Sequence, residues 1–440
     1  MAVIKSKRKA VIKKGTNFSY NPETFTKEHS VEFFHEAKSA QEIIDNIVPF
    51  EINGRKFIVF DTETYATPLK SNEIPNGLVR RWVGSGKSAK PQDLPFCISI
   101  CDGKKAYTLH DNLDNNYSEM RKLAKIFEDP SIEKIAHNWK FDAHMLHNIN
   151  MRIKGKVHDT VVLAKLIDEN RSSYQLKDIA RKYEGHIVKF EYMLDAYKST
   201  HKITDYRMFP RELINNYANA DVWNCYLVFI NEFPLLEKYG LMSLYENEME
   251  LMIALYAAER YGMKVDLDYE QQLKAELQTL TDNAEAAIYE EAGKIFNVNS
   301  SKQLYEVLMD LGVDDRLIPR TDKGSPQTNK FVLSDLAEKH NVAIAHKILE
   351  YRKYEKLLTT YAVGIYDQRS AEGRVHGSIN QTEATTGRMS ITKPALQTLP
   401  KKDTSIRRAF IPSDGYELWM MDLDYSTGPS KTSLIAGNPA

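Results

Sequence analysis

Asp61 and Glu63 stand two apart in the run Phe60-Asp61-Thr62-Glu63-Thr64. Alternate residues of a strand share a face, so the two carboxylates project together. Like charges so placed repel unless one takes a proton or a divalent cation sits between them. The preceding Lys56-Phe57-Ile58-Val59-Phe60 has the aromatic and β-branched character of a central strand, which puts the pair at a strand end. Two solvated acids on an exposed strand end would give the same pattern. The pair acquires chemical meaning only if further carboxylates converge on it.

Two more lie in contexts that would orient them. Ile135 to His147 reads as a strand ending near Ala136, followed by a helix that Asn138 is placed to cap. Asn138 and Asp142 are four apart, on one helical face, with Phe141 and Met145 available to pack beneath. In the helical segment from Arg211 to Phe233, Tyr217 and Asp221 have the same spacing, so a phenol and a carboxylate face one point.

Asp61-Thr62-Glu63, His137-Asn138-x-x-Phe141-Asp142 and Tyr217-x-x-x-Asp221, in this order, resemble the three motifs of the DEDD superfamily of 3′→5′ exonucleases, in its tyrosine-containing branch. The resemblance implies phosphodiester hydrolysis at two divalent ions, Mg²⁺ or Mn²⁺, which all-oxygen ligands favour over zinc. It implies that Asp61 bridges both ions, Glu63 and Asp221 complete one site and Asp142 supports the other. Tyr217 would orient the attacking water, its ordinary pKa near 10 making it a poor free base. Asp159 is expected to cap the following helix and His137 to pack or hydrogen-bond locally.

The elements that must position these groups change character along the 440 residues, a length that suits two or three domains. Residues 51 to 110 favour strands, and 117 to 235 alternate helices with short strands, an α/β pattern. From Leu241 to about Tyr366 the pattern is almost wholly helical, with Asn299 or Ser300 placed to cap a helix from Lys302. Basic and aromatic residues interleave in Tyr351-Arg352-Lys353-Tyr354-Glu355-Lys356. They fit a surface that follows a nucleic-acid backbone and equally an ordinary amphipathic helix with a solvated basic face. The net charge of −1 argues against a uniformly basic coat but not against local basic surfaces. Lys5, Lys7, Arg8, Lys9, Lys13 and Lys14 form a basic leading tail. Cys97, Cys101 and Cys225 have no metal-ligand spacing and read as buried, reduced thiols. With no apolar run of membrane length and no signal peptide, a cytoplasmic location is expected. Gly84-Ser85-Gly86-Lys87-Ser88 fails as a phosphate-binding loop, because Arg81 stands where its first glycine is required, and 75–95 reads as a polar insertion.

A second resemblance covers the rest. Phe296-Asn297-Val298-Asn299-Ser300-Ser301-Lys302-Gln303-Leu304, Tyr351-Arg352-x-x-x-Lys356-Leu357, Thr385-Thr386-Gly387-Arg388-Met389-Ser390 and Pro394-x-Leu396-Gln397-x-Leu399-Pro400 look like the thumb and early palm of family A DNA polymerases. Met421-Asp422-Leu423-Asp424-Tyr425-Ser426 resembles the strand carrying that family's first catalytic aspartate, here Asp424. The resemblance implies DNA as partner, both as a single-stranded 3′ end and as primer–template. It implies DNA contacts at Asn138, Phe141, Lys302, Arg352, Lys356, Arg388 and Gln397, and a metal ligand at Asp424. It breaks after Ser426, where Pro429 stands in place of the family's nucleotide-selecting glutamate and the tail is rich in Gly, Pro, Ser and Thr. The expected fold class is α/β: a lead-in of 1–50, a ribonuclease H-like 3′→5′ exonuclease domain over 51–235, a mainly helical polymerase thumb over 236–370, the start of an α+β palm over 371–426, and a non-matching tail over 427–440. The strand ending at Asp424 is expected to lack sheet neighbours. An incomplete polymerase site is expected, with a second polypeptide carrying fingers and remaining palm as a possible partner, or a noncatalytic primer–template-binding role as the alternative.

Overall fold

The computed structural model describes residues 31–67, 78–83, 90–111, 117–366, 368–384, 387–400, 403–423 and 432–436. The described residues form two compact units: one from Val31 to Arg260 with Gln381–Met389, the other from Tyr261 to Asn380 and from Ser390 onward. The architecture is mixed α/β, in line with a ribonuclease H-like nuclease domain and a helical region.

The first unit is built on a mixed sheet. Its strands are β1 (Phe34–Glu36), β2 (Phe50–Ile52), β3 (Arg55–Tyr65), β6 (Leu94–Cys101), β7 (Ala106–His110), β8 (Ile132–Ala136) and β9 (Val157–Asp159). A separate hairpin of β4 (Arg81–Val83) and β5 (Lys90–Gln92) lies in the polar insertion. The sheet order is β1-β7-β6-β3-β8-β9, with β2 on β3. Strand β3 is central because Phe57, Ile58, Val59 and Phe60 are all fully buried, each contributing about 1.5–3 kcal/mol of apolar burial. It runs antiparallel to β6 and parallel to β8.

Strand β3 continues through Asp61 and Glu63 to Tyr65, so the pair lies near the strand's end, on alternate positions. Its parallel neighbour ends sooner: the last β3–β8 pair is Val59 with Ile135. On the other edge the register with β6 shifts between Glu63 and Thr64, Glu63 facing Cys97 and Thr64 facing Pro95. Phe96 is thus an extra residue, and Phe96 and Cys97, adjacent in sequence, both enter one apolar cluster with Tyr65, Phe190 and Leu213. Cys97, Cys101 and Cys225 are buried and unpaired.

The helices of this unit are α1 (Ala40–Asn46), α2 (Ser118–Lys122), α3 (Ala124–Phe127), α4 (Trp139–Asn148), α5 (Thr160–Ile167), α6 (Leu176–Ala180), α7 (Lys189–His201), α8 (Arg211–Lys238) and α9 (Met242–Tyr261). The unit continues past residue 235: Tyr245, Met249 and Met252 of α9 are buried in the main core with Phe57, Phe229 and Phe233.

The second unit contains α10 (Leu267–Ala292), α11 (Ser301–Asp310), α12 (Lys330–His340) and α13 (Ala343–Lys356), with a π-helical stretch at Leu357–Val363. Ser300 caps α11 through a bond from the Gln303 amide. Short strands β10 (Met263–Val265), β11 (Arg374–Val375) and β14 (Phe410–Ile411) form one sheet, and β12 (Ser378–Asn380) pairs with β13 (Ser390–Thr392). Strand β15 (Trp419–Leu423) pairs antiparallel with β16 (Thr432–Ala436), so the expectation of a strand without sheet neighbours is corrected. Residues of the Gly- and Pro-containing tail supply its partner. Asp424, Thr385, Thr386, the basic leading tail and the Gly84–Ser88 run lie outside the described residues.

Candidate active site

The acids of β3 lie where the parallel edge of the sheet has been vacated. Chain leaving β8 turns at Asn138, which has a left-handed φ of 71°, and enters α4. The side chain of Asn138 makes no capping bond, which corrects the expected N-cap role and removes the helical stacking of Asn138 on Asp142. The cap comes from across the sheet: the Asp159 carboxylate accepts the amides of Asn138 at 3.3 Å and Trp139 at 2.8 Å. It also accepts Val161 at 2.7 Å, capping α5 as the sequence suggested. One carboxylate thus serves two helix N-termini. His137 packs locally, with Nδ1 2.8 Å from Thr160 Oγ1 and Nε2 3.0 Å from the Tyr174 carbonyl, and burial holds its pKa down.

From the first turn of α4, Asp142 reaches the open edge of β3. It accepts the Thr62 amide at 3.0 Å and the Thr62 hydroxyl at 2.5 Å, occupying the place a continued β8 would have taken. Asp61, Glu63 and Asp221 of α8 come closer still, with one carboxylate oxygen from each within 4.8 Å of the others. Asp142 stands just outside that trio and senses the charge of Asp61. Tyr217, one turn before Asp221, joins them; the Tyr206 ring meets it edge-on at 6.3 Å.

The electrostatics are those of crowded anions. Burial pushes Asp61 from 3.8 up to about 6. Burial and the charges of Asp61, Asp221 and Asp142 raise Glu63 well above the ordinary carboxylate range. Asp221 and Asp142 are raised by burial and then by Asp61. The Asp221 charge, followed by burial, lifts the Tyr217 phenol, which is therefore neutral and a hydrogen-bond donor. Such a set is relieved by a cation, and its hard oxygen donors fit the magnesium and manganese class.

Of the expected DNA contacts, Asn138 is exposed and Phe141 partly exposed beside the site, while Lys302, Lys356, Arg388 and Gln397 are exposed. Arg352 is partly buried, donating to the Thr328 carbonyl at 2.5 Å. Gln397 accepts the Ile391 amide at 3.0 Å.

Comparison with known proteins agrees with this reading of the fold. Residues 87–231 match the family model for a 3′-5′ exonuclease, and 267–428 match that for DNA polymerase family A. Asp142, Tyr217 and Asp221 fall inside the first match, and Asp61 and Glu63 precede it. The chain belongs to the family A DNA polymerases, with an exonuclease region ahead of the polymerase region. DNA polymerase I of Synechocystis sp. is 32% identical over 311 residues, 69% of this chain and 31% of that protein. DNA polymerase I of Pseudomonas aeruginosa is 29% identical over 386 residues, 86% of this chain and 40% of that one. DNA polymerase DpoZ of Vibrio phage phiVC8 is 28% identical over 362 residues, 74% of this chain and 56% of that protein. The matched region spans about a third of the first of these relatives. The solved POL domain of Pol1 from M. smegmatis, in complex with DNA primer-template and dNTP, shares the fold at a TM-score of 0.62 and 23% identity, covering 89% of this chain and 61% of that one.

Proposed function

We propose that this chain hydrolyses the terminal phosphodiester of a single-stranded DNA 3′ end, releasing nucleoside 5′-monophosphates one at a time. The observation that supports it most is the convergence of Asp61, Glu63 and Asp221, oxygen to oxygen within 4.8 Å, with Asp142 and Tyr217 alongside. These four carboxylates would hold two divalent ions, Mg²⁺ or Mn²⁺. When bound, the ions supply an acidified water and counter-charge for the attacking and leaving oxygens. Tyr217, kept neutral, orients the attacking water through its hydroxyl. The Thr62 bonds to one oxygen of Asp142 fix the rotamer of that side chain. Asn138, exposed just before α4, and Phe141, partly exposed in its first turn, would meet the terminal nucleotides.

A 5′-labelled oligonucleotide is expected to shorten stepwise with Mg²⁺ or Mn²⁺, and not in excess chelator. Asp61→Ala or Asp221→Ala should abolish shortening; undiminished activity with chelator would overturn the reading. The polymerase-family match over 267–428 favours a second reading, in which the remaining region, with Lys302, Arg352, Lys356, Arg388, Gln397 and Asp424, holds primer–template DNA. In that reading nucleotide incorporation is shared with a second polypeptide carrying further palm and fingers. Labelled primer–template with nucleotides tests this: extension only on adding such a partner supports it.

A further inference from the structure

The polar insertion after β3 is fastened to α4, the helix that carries Asp142. Lys140, His144 and Asn148 recur at intervals of four and form a stripe along α4, while Asp142 lies about 200° around the helix from Lys140. Each member of the stripe is held. Lys140 Nζ lies 2.7 Å from Glu259 Oε1, and His144 Nε2 lies 2.8 Å from Glu259 Oε2. Arg81, from hairpin strand β4, pairs with the same Glu259 oxygen, and Arg81, His144 and Glu259 are all buried. Burial alone would raise the Glu259 carboxyl, yet Arg81, His144 and Lys140 hold it at about 2. At the end of α4, the Asn148 amide donates to the Val79 carbonyl at 3.0 Å and the Asp93 carbonyl at 2.6 Å. Its oxygen accepts the Val79 amide at 3.0 Å and Arg260 at 2.6 Å. The insertion is itself closed by Asp93, which accepts the Thr67 amide at 2.7 Å and pairs with Arg80.

We propose that this insertion is a clamp for the active site: Arg81 and Asn148 are positioning residues that fix α4 from one face so that Asp142, on the other, stays seated on Thr62 at the carboxylate cluster. Nothing in the exonuclease motifs requires this attachment, in which buried Arg81 and Glu259, a buried neutral His144 and the partly buried Lys140 tie one face of α4. Removing the Arg81 cation leaves Glu259 short of a buried counter-charge and frees the stripe to shift. Groups bonded directly to metal ligands, as Thr62 is to Asp142, alter activity or metal affinity by about 10–100-fold, and a shift of α4 that unseats Asp142 from Thr62 is expected to act in that range.

The proposal rests on the exonuclease reading, and its test separates the two. Full-length wild-type, Arg81→Ala, Arg81→Lys and Asn148→Ala proteins are compared, with Arg55→Ala as a control that breaks the Arg55–Glu133 ion pair elsewhere in the same unit. Hydrogen–deuterium exchange without metal should show faster exchange in peptides spanning Thr62 and Asp142 for Arg81→Ala and Asn148→Ala, and not for Arg55→Ala. With Mn²⁺ and a single-stranded oligonucleotide, the same two variants should lose about 10–100-fold in kcat and need more Mn²⁺ for half-saturation, with KM for DNA unchanged. Arg81→Lys should recover much of the loss. Unchanged exchange at Thr62 and unchanged Mn²⁺ dependence in a folded Arg81→Ala or Asn148→Ala protein would overturn the clamp. Wild-type protein that shows the exchange difference from Arg81→Ala but degrades no DNA would leave the clamp standing and overturn the exonuclease reading.

Discussion

At the scale of single residues, the carboxylate cluster is held together against its own repulsion. Asp61, raised to about 6 by burial, and Glu63, raised by burial and the neighbouring charges, bind protons more readily folded than unfolded. A raised folded pKa contributes stability that is full below the unfolded value and is lost as pH rises through the folded one. Metal-free protein therefore carries its largest penalty from Asp61 above about pH 6. Asp61→Asn should raise the Tm of metal-free protein at pH 7.5, by on the order of 1 kcal/mol in stability, and that advantage should shrink below pH 6. Thermal melts of both proteins from pH 5 to 8 in chelator check this; an advantage independent of pH would point to another cause. Tyr217→Phe keeps the ring against Tyr206 and removes only the hydroxyl. It should lower kcat at least tenfold, with Mn²⁺ half-saturation unchanged, in single-turnover assays. The acids and the phenol could be singled out in the sequence because three motifs stand in order, although the spacing of any one of them also fits solvated surface groups. The failed cap at Asn138 could not, because a left-handed residue at that turn depends on where β8 stops.

At the scale of elements, Asp159 joins β9 to two helices at once, and only its bond to the adjacent α5 could be read locally. Asp159→Ala should cost about 2 kcal/mol or more, because two N-termini lose their acceptor, with an unchanged denaturant slope in urea titration. Its effect should exceed that of Ser300→Ala, which uncaps α11 alone. The insertion shows why some structure stays illegible in a single sequence. Arg81 and Glu259 are 178 positions apart, and no periodicity links them. The β15–β16 hairpin was unreadable for a different reason: Gly, Pro and Ser argue correctly against a helix there, but say little about whether five residues within the tail will pair.

At the scale of the whole molecule, two compact units carry two family matches in the order exonuclease then polymerase. The first unit contains the carboxylate trio found among the described residues, so the segments that carry it should respond to divalent ions. Ion at a hundred times its dissociation constant adds about 2.7 kcal/mol to the species that binds it. Hydrogen exchange should accordingly slow in 55–65 and 211–238 on adding Mn²⁺ and stay unchanged in 301–356. Protection spread evenly over both would contradict that assignment. The register shift at Phe96 also bears on how such a chain tolerates change. Leu94 and Pro95, before Phe96, pair with Tyr65 and Thr64, and the residues after it pair with Glu63 and Asp61 and fix which side of the sheet those acids face. An extra residue at the bulge lets the two stretches keep separate phase, so a change of register ahead of Phe96 need not turn the acids over. The bulge thus uncouples the phase in which β6 enters the sheet from the phase that sets the two acids beside it.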